Sequence, residues 1–359
     1  MSELKNWFNK NYFEELGLAI KSNFPEFKTK DFVKNVCEDL DELELNQRMR
    51  KTSVVLQEFV PKDLEKTISI FKKTIPNLKA GYTNLIFPDY ISIYGKNHLK
   101  ASLDALKYFT TFGSSEFAIR VFLKSDFNIT FEHMLAWSSD KNFHVRRLSS
   151  EGSRPRLPWS FKLEKIIENP ELTLPILNNL RADDELYVRR SVANHLNDIS
   201  KDHPGLAIQV AKKWKGKSEL TDHLLKHACR TLLKGGNSEI LKLFDTHDVT
   251  SLKISKLKLS SAKIKMGKTL EFSFSIENNS SKPVKIRVEY EMVFKRQSGD
   301  GKKVFHISER VLNANEKQRF SKSHSFKTIS TRKYYPGKHA VALIVNGHHQ
   351  GYNLFGLTN

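Results

Sequence analysis

Cysteine is nearly absent from this chain of 359 residues, which contains only Cys37 and Cys229. Two cysteines argue against a disulfide framework of the kind that holds small secreted domains together. They also argue against the cysteine-rich ligand sets of structural zinc sites. The fold must therefore rest on a hydrophobic core, for which the 24 phenylalanines supply ample material.

Long apolar runs are missing as well. No stretch approaches the roughly 18 apolar residues that a membrane-spanning helix requires. The sequence begins MSELKNWFNKNYFEELG, without the basic segment and following apolar segment of a secretory signal. We therefore expect a cytoplasmic protein that has no membrane partner.

Acidic residues are scarce in the last third of the chain. Residues 251–359 contain 21 Lys and Arg but only 7 Asp and Glu, so this part carries +14 of the total net charge of +19. Such a basic excess favours a polyanionic partner, with nucleic acid ahead of an anionic membrane surface. A lysine-rich surface that serves only solubility would explain the same composition, and that alternative stays open.

Residues 1–250 have the periodicity of helices, and their middle part repeats. The segments FHVRRLSSEG (143–152) and LYVRRSVANH (186–195) share an aromatic–Val–Arg–Arg core, and their valines lie 43 residues apart. This spacing is typical of HEAT and armadillo repeats of about 40–47 residues, each of which is a helix pair. We therefore predict an all-α solenoid of stacked helix pairs over residues 1–250.

Residues 251–359 change to short segments in which apolar and polar residues alternate, such as KTLEFSFSIENN and VKIRVEYEMVFK. About seven such segments are separated by turn residues, and SGDGKK (298–303) is predicted to be a hairpin turn. The pattern predicts an antiparallel β-sandwich of immunoglobulin-like type. The expected architecture is thus a helical domain, 1–250, followed by a basic, DNA-binding sandwich, 251–359.

The stretch HVRRLSSEGSRPRLPW (144–159) places four arginines around a single carboxylate, Glu151, and ends with Trp159. A glutamate close to the end of a helix is disfavoured by the helix dipole, so a role other than stability is indicated. In DNA chemistry the arginines would neutralise phosphates. The carboxylate would stabilise the oxocarbenium-like sugar that forms when an N-glycosidic bond breaks. Trp159 would offer its π-face to a sugar or a cationic base.

Simpler interpretations of the same residues stay open. Arg147 and Glu151 are four residues apart and could form an ordinary helix salt bridge. Trp159 could belong to the core. The repeat offset also equates Arg147 with Arg190, and on the second helix Asp198 shares the face of Arg190. If this face lines a groove, it brings two carboxylates and several cations together.

Four segments resemble, in order, the AlkC family of bacterial DNA glycosylases, relatives of the AlkD proteins that are also built from HEAT-like repeats. They are SSEFAIRVF (114–122), HVRRLSSEGSRPRLPW, YVRRSVANHLNDISKDHP (187–204) and RTLLKGG (230–236). The resemblance implies removal of cationic N3-methylated bases, chiefly 3-methyladenine and 3-methylcytosine, from duplex DNA to leave an abasic site. It implies no metal or organic cofactor. One branch of the family also has an immunoglobulin-like C-terminal domain.

The family motifs assign roles to residues of this chain. The catalytic residues that the resemblance implies are Glu151, Asp198, Trp159 and Glu116. The basic residues of the matched segments are predicted to contact DNA, and they are Arg146, Arg147, Arg154, Arg156, Arg190, Arg230 and Lys234.

Three hypotheses therefore stand. The first is a DNA glycosylase for alkylated bases, acting as a monomer. The second is a HEAT-repeat protein that binds DNA without catalysis, and the third is a HEAT-repeat adapter for an acidic protein. Removal of Glu151 and Asp198 separates the first from the second, because only the first predicts a loss of base release.

Overall fold

The computed structural model describes residues 4–244, 249–296, 299–327 and 333–359, with helices before Phe244 and strands from Leu252 onward. The α-helices of the described residues are α1 (Lys10–Lys21), α2 (Thr29–Cys37), α3 (Leu45–Phe59), α4 (Leu64–Thr74), α5 (Ile86–Tyr94), α6 (Leu99–Phe109), α7 (Glu116–Ser125), α8 (Phe127–Trp137), α9 (Phe143–Gly152), α10 (Glu164–Glu168), α11 (Leu174–Leu180), α12 (Leu186–Asp202), α13 (Pro204–Trp214), α14 (Glu219–Ala228), α15 (Arg230–Lys234) and α16 (Ser238–Leu243). Short 3-10 helices span Leu4–Trp7, Leu40–Glu42, Ile75–Asn77, Tyr82–Leu85 and Pro170–Thr173.

The predicted repeat is present as two helix pairs, α8–α9 and α11–α12, and the second helices α9 and α12 pack on each other. Each second helix begins at the aromatic residue of its aromatic–Val–Arg–Arg core or at the residue before it. The predicted apolar stripe of α12 is confirmed, since its four members are at most 1% exposed: Val188, Val192, Leu196 and Ile199. Because this stripe is buried, the polar residues of α12 lie on the remaining faces of the helix.

The strands are β1 (Leu252–Ile254), β2 (Lys258–Leu259), β3 (Lys263–Lys265), β4 (Thr269–Asn278), β5 (Val284–Arg296), β6 (Gly299–Leu312), β7 (Lys317–Ser325), β8 (Gly337–Val345) and β9 (His348–Thr358). One sheet is centred on β4, which pairs with β7 along one edge and with β1 and β2 along the other. The second sheet has the order β3-β9-β8-β5-β6. Every pair is antiparallel except β3 with β9, which is parallel.

The sandwich core forms where the inward residues of both sheets meet. Leu270, Phe272, Phe274 and Ile276 alternate inward along β4, as the sequence pattern predicts, and each is at most 3% exposed. Strand β5 departs from simple alternation, because Glu289 and Glu291 on its other face are also buried. Arg287 donates a hydrogen bond to Glu289 and Tyr352 donates one to Glu291, so both carboxylates are satisfied.

The predicted SGDGKK turn needs a correction. Gly299–Lys303 already belong to β6, whose first residue, Gly299, pairs with Arg296 at the end of β5. Strands β5 and β6 are therefore adjacent and antiparallel, and residues 297–298 between them lie outside the described residues. The predicted hairpin is confirmed, but Gly299–Lys303 extend strand β6 instead of forming its turn.

The chain divides into two compact units, one of Met1–Ala207 with Gly216–Ala228 and one of Ile208–Lys215 with Cys229–Asn359. The second unit therefore contains α15 and α16 as well as all the strands. Within it, Gly347 in the β8–β9 turn approaches Gly236 after α15 so closely that a Cβ on Gly347 would lie 2.9 Å from the Cα of Gly236. The domain boundary at residue 250 thus stays a prediction. None of the described helices is long and apolar enough to cross a membrane.

Candidate functional site

A groove of 590 Å³ opens in the first unit, and five of the predicted site residues line it: Glu116, Arg147, Glu151, Arg154 and Trp159. The groove is also lined by the segment around Tyr82 and by the turn that precedes α7. The sequence therefore identified residues that the fold brings together from α7, α9 and the segment that follows α9. Their shared position makes this groove the candidate active site.

Glu151 lies in the last turn of α9 and is 5% exposed. Arg154 Nη1 donates to its Oε1 at 2.6 Å, and Arg147 Nη2 lies 3.6 Å from the same oxygen. No described residue donates a hydrogen bond to Oε2, the other oxygen. The two arginines offset the unfavourable end of the helix dipole, and they leave one carboxylate oxygen able to accept a hydrogen bond from a water or to face a sugar.

Arg154 connects Glu151 to Asp198. Its Nε and Nη2 both lie 2.8 Å from Asp198 Oδ2, while Lys201 Nζ lies 2.9 Å from Oδ1. Asp198 is 1% exposed and is not among the described residues that line the groove. Burial lowers the pKa of Arg154, but the carboxylates of Glu151 and Asp198 outweigh it and raise the pKa overall. Asp198 therefore contacts Arg154, which lines the groove and stays charged, and does not line the groove itself. A catalytic role for Asp198 stays a prediction.

Arg147 is held by Glu116 from the first turn of α7. Its Nη1 donates to Glu116 Oε2 at 2.5 Å and to Ser114 Oγ at 3.2 Å. The guanidinium also lies over the ring of Tyr187, 4.5 Å from the ring centroid, in a cation–π contact. Burial acts to lower the pKa of Arg147, and Glu116 and Glu151 raise it by more. The carboxylate of Glu116 thus fixes the arginine that contacts Glu151.

Trp159 is 71% exposed on the rim of the groove, which rules out the alternative that it belongs to the core. Its backbone φ is +64°, in the left-handed region that a bulky residue rarely adopts. Such strain persists where the surrounding structure enforces it, and it is common at functional sites. The exposed indole face is therefore directed by a constrained backbone and is available to a ligand.

Two of the predicted DNA-binding arginines are occupied by carboxylates of the following repeat. Arg146 Nε and Nη2 donate to Asp183 at 2.6 and 3.0 Å, and Arg156 donates to Asp202 through two hydrogen bonds of 2.7 Å. Such two-point pairs link the α9 repeat to the α12 repeat. They answer part of the question raised by the arginine-rich stretch, because Arg146 and Arg156 each have a carboxylate partner in the following repeat. A phosphate contact by either residue would have to compete with its pair.

The remaining predicted contacts are differently placed. Arg190 is exposed on α12 and has no ion-pair partner within the described part of the chain. Arg230 and Lys234 lie on α15, in the second compact unit. Lys234 is exposed and Arg230 is half-buried. Contact with DNA by these three residues stays a prediction.

Sequence reasoning missed Tyr187 and His144, which both line the groove. Tyr187 is the aromatic residue of the second repeat core, so the repeat itself carried the signal. His144 packs between Phe143 and Tyr187, with ring centroids 4.1 and 6.1 Å away. Partial burial, with Arg147 beside it, lowers the pKa of His144, so this part of the wall is neutral at pH 7.

Comparison with known proteins supplies the context for this geometry. A family model for the C-terminal Ig-like domain of uncharacterised protein YhaZ matches residues 253–359. The uncharacterised protein YhaZ of Bacillus subtilis is 42% identical over 349 residues, which are 97% of each chain. Among solved structures, the alkylpurine DNA glycosylase AlkC of Pseudomonas fluorescens, bound to DNA containing an abasic site analogue, is 41% identical. It superposes with a TM-score of 0.95 over 99% of both chains.

Proposed function

The chain belongs to the AlkC family, and from that premise we propose that it is a DNA glycosylase that excises cationic N3-alkylated bases from duplex DNA. The observation that carries the proposal is Glu151, a buried carboxylate on the wall of the groove. One of its oxygens is held by two arginines, and the other has no described partner. A fixed carboxylate of this kind stabilises positive charge that develops on a sugar.

The chemistry needs little from the protein, because an N3-alkylated base already carries a positive charge. When the C1′–N bond breaks, its electron pair goes to the base, which leaves neutral and needs no acid to protonate it. The sugar is left as an oxocarbenium-like cation, which faces the carboxylate of Glu151. Water then adds to C1′ and gives up a proton, which Oε2 of Glu151 accepts, since only the other oxygen is held by the arginines. The product is an abasic site.

The other residues of the groove support this step. Arg147 and Arg154 hold Glu151 in place, and Glu116 and Asp198 hold these arginines in turn. Trp159 offers its exposed ring to the cationic base, an interaction that strengthens when water is excluded. We propose 3-methyladenine and 3-methylcytosine as the lesions, because both satisfy the requirement for a charged leaving base.

The proposal extends to the setting of the reaction. We propose that the protein acts as a monomer. The net charge of +14 on residues 251–359 supports a DNA-binding role for the sandwich through phosphate contacts. A cytoplasmic location is proposed because that is where a bacterial repair glycosylase meets its DNA.

The first test offers the protein a panel of duplexes that contain 3-methyladenine, 3-methylcytosine, uracil or 8-oxoguanine. Released bases and abasic sites are measured over time. We expect release of the two cationic bases and not of the neutral ones, since a neutral base needs activation that the groove does not provide. Efficient release of uracil would contradict the mechanism, and binding without any release would favour the non-catalytic DNA-binding alternative.

The second test replaces the carboxylate. Glu151→Gln keeps the size of the side chain and removes its charge, so base release should fall by about 10²-fold or more while duplex affinity stays close to that of the wild type. Glu168→Gln, on an exposed residue of α10, is the matched control and should leave the rate unchanged. A Glu151→Gln enzyme that works at the full rate would refute the catalytic assignment.

A further inference from the structure

Arg120 is a fully buried cation that the proposed chemistry does not use. It lies on α7, one turn after Glu116, and its exposure is 0%. No carboxylate of the described residues forms an ion pair with it. Burial, reinforced by the nearby charge of Arg154, lowers the pKa of Arg120 to about 10, so the side chain is still charged at pH 7. A buried charge without a paired carboxylate is costly and calls for a structural explanation.

The partners of Arg120 are backbone carbonyls at both ends of one segment. Nη1 donates to the carbonyl oxygens of Gly152, at 3.1 Å, and Arg154, at 2.5 Å. Nη2 donates to the carbonyl oxygen of Phe161. A single guanidinium therefore closes the segment Gly152–Phe161, which includes the strained Trp159. Gly152 is the last residue of α9, where helix carbonyls lack partners within the helix, and Arg154 lies two residues beyond it.

Close packing brings the end of α9 within reach of Arg120. A Cβ added to Gly152 would lie 2.5 Å from Ile119 Cγ2 and 3.2 Å from Met134 Cε, so only glycine allows α9 to approach α7 this closely. Phe161 also packs its ring against the guanidinium, with the ring centroid 5.5 Å from Cζ. The same helix, α7, thus holds Arg147 through Glu116 and the Trp159 segment through Arg120.

We propose that Arg120 is a positioning residue for base excision, whose guanidinium closes the segment Gly152–Phe161 and so sets Arg154 and Trp159 relative to Glu151. The proposal rests on the proposed function for its effect on rate. Its effect on the conformation of the segment does not depend on that function. The planar guanidinium of arginine can donate to three carbonyl oxygens at once. The ammonium group of lysine is a compact donor on a flexible stem and does not match this geometry.

The chain offers a matched control in Arg48 of α3. Arg48 is 4% exposed and also donates to three backbone carbonyls, those of Leu43, Lys5 and Phe8. None of these residues is among those that line the groove. Arg48 differs from Arg120 in one contact, since its Nη2 also lies 3.7 Å from the exposed carboxylate of Asp41. Arg120→Lys and Arg48→Lys each disrupt hydrogen bonds to three backbone carbonyls, so both should lower stability. Only Arg120→Lys should disturb the Trp159 segment.

Two measurements test the proposal. The first is the single-turnover rate of 3-methyladenine release, which should fall about 10- to 100-fold in Arg120→Lys, as expected for a misplaced catalytic group, and stay near the wild-type rate in Arg48→Lys. The second is acrylamide quenching of Trp159 fluorescence in a Trp7→Phe background. Trp137 and Trp214 are at most 4% exposed, so Trp159 then dominates the quenchable signal. Only Arg120→Lys should change this quenching.

The outcomes separate the two proposals. A wild-type protein that releases no base defeats the proposed function, and the quenching experiment still decides whether Arg120 holds the segment. An active wild type, with Arg120→Lys equal to Arg48→Lys in both rate and quenching, overturns the role of Arg120. If Arg120→Lys does not fold, Arg120→Ala is measured with and without ethylguanidinium, which donates to the same carbonyls. Recovery of rate and quenching supports the proposal, and a folded Arg120→Ala that matches wild type without the additive overturns it.

Discussion

The structure predicts that Asp198 acts through Arg154, and Asp198→Asn tests this. The carboxylate is 1% exposed, accepts one hydrogen bond from Arg154 Nε and one from Lys201, and lies 2.8 Å from Arg154 Nη2 as an ion pair. Asparagine keeps the shape but removes the charge that balances a buried arginine. Breaking a buried ion pair from one side costs about 3–5 kcal/mol of folding free energy. We expect a loss of this order, together with a lower rate of base release because Arg154 no longer holds Glu151 rigidly.

Asp202→Asn is a matched control on the same helix. Asp202 is likewise paired with one arginine, Arg156, which donates two hydrogen bonds of 2.7 Å, but the side chain of Asp202 is 24% exposed. A pair that water can reach contributes about 0–1 kcal/mol. Urea unfolding should therefore show a large decrease in stability for Asp198→Asn and a small one for Asp202→Asn. Equal decreases would mean that burial does not govern these pairs.

A double-mutant cycle with Glu151→Gln then separates a direct role of Asp198 from a positioning role. Single-turnover rates are measured for the wild type, the two single variants and the double variant, each checked to be folded. If Asp198 works only through Arg154 and Glu151, the double variant should be no slower than Glu151→Gln alone, since residues that act as a unit are not additive. If the rate loss of the double variant equals the product of the two single losses, this reasoning is refuted and Asp198 makes a separate contribution to catalysis.

Two further predictions concern salt and pH. The first variant replaces four exposed cations on the outer face of the β4 sheet by glutamine. The slope of log affinity against log salt concentration should become less steep by about 0.9 for each phosphate that the variant no longer neutralises, and the ranking of lesions should not change. An unaltered slope would place the phosphate-binding cations elsewhere. The four replaced cations are Lys253, Lys258, Lys317 and Arg319. Burial, reinforced by Arg154, lowers the pKa of His195 to about 3 although its hydrogen bond to Ser150 opposes this, so its protonation favours the unfolded state. The free energy of unfolding should fall by up to about 1.4 kcal/mol per pH unit as the pH drops from about 6.5 towards 3. Urea unfolding of a folded His195→Leu variant should not show this dependence between pH 6.5 and 4.5. An unchanged pH dependence in the variant would contradict the assignment of this effect to His195.

The helices and their repeat could be predicted because their signal is local. The apolar stripe of α12 and the aromatic–Val–Arg–Arg core recur with fixed spacing, and burial follows that spacing. Five residues that line the groove could also be predicted, because they lie in segments that resemble one family: Glu116, Arg147, Glu151, Arg154 and Trp159. The sandwich could be predicted from strand alternation, although the buried Glu289 and Glu291 broke the pattern where side-chain hydrogen bonds replace solvent.

The ion-pair partners could not be predicted, because each depends on how two repeats stack. Arg146 and Arg156 look like DNA contacts in the sequence, and only the packed repeats show Asp183 and Asp202 within hydrogen-bond distance. Arg120 was missed for a related reason. Its partners are backbone carbonyls, which no residue type identifies in a sequence. The positive φ of Trp159 is likewise set by the closed segment and not by the residue itself.

The pairing of the arginines changes where the attraction for DNA must originate. In and behind the groove, Glu116, Glu151 and Asp198 pair with Arg147, Arg154 and Lys201, and buried Arg120 adds one positive charge that no carboxylate of the described residues pairs. Arg146 and Arg156 are neutralised by the following repeat. A nearly balanced site suits the reaction, since further cations beside Glu151 would oppose the positive charge that develops on the sugar. It also contributes little to phosphate binding. We therefore expect the long-range attraction to come from cations outside the site, and residues 251–359 hold +14 of the net charge of +19. The acid-poor composition of the last third would then complement a proposed active site that is not itself strongly basic.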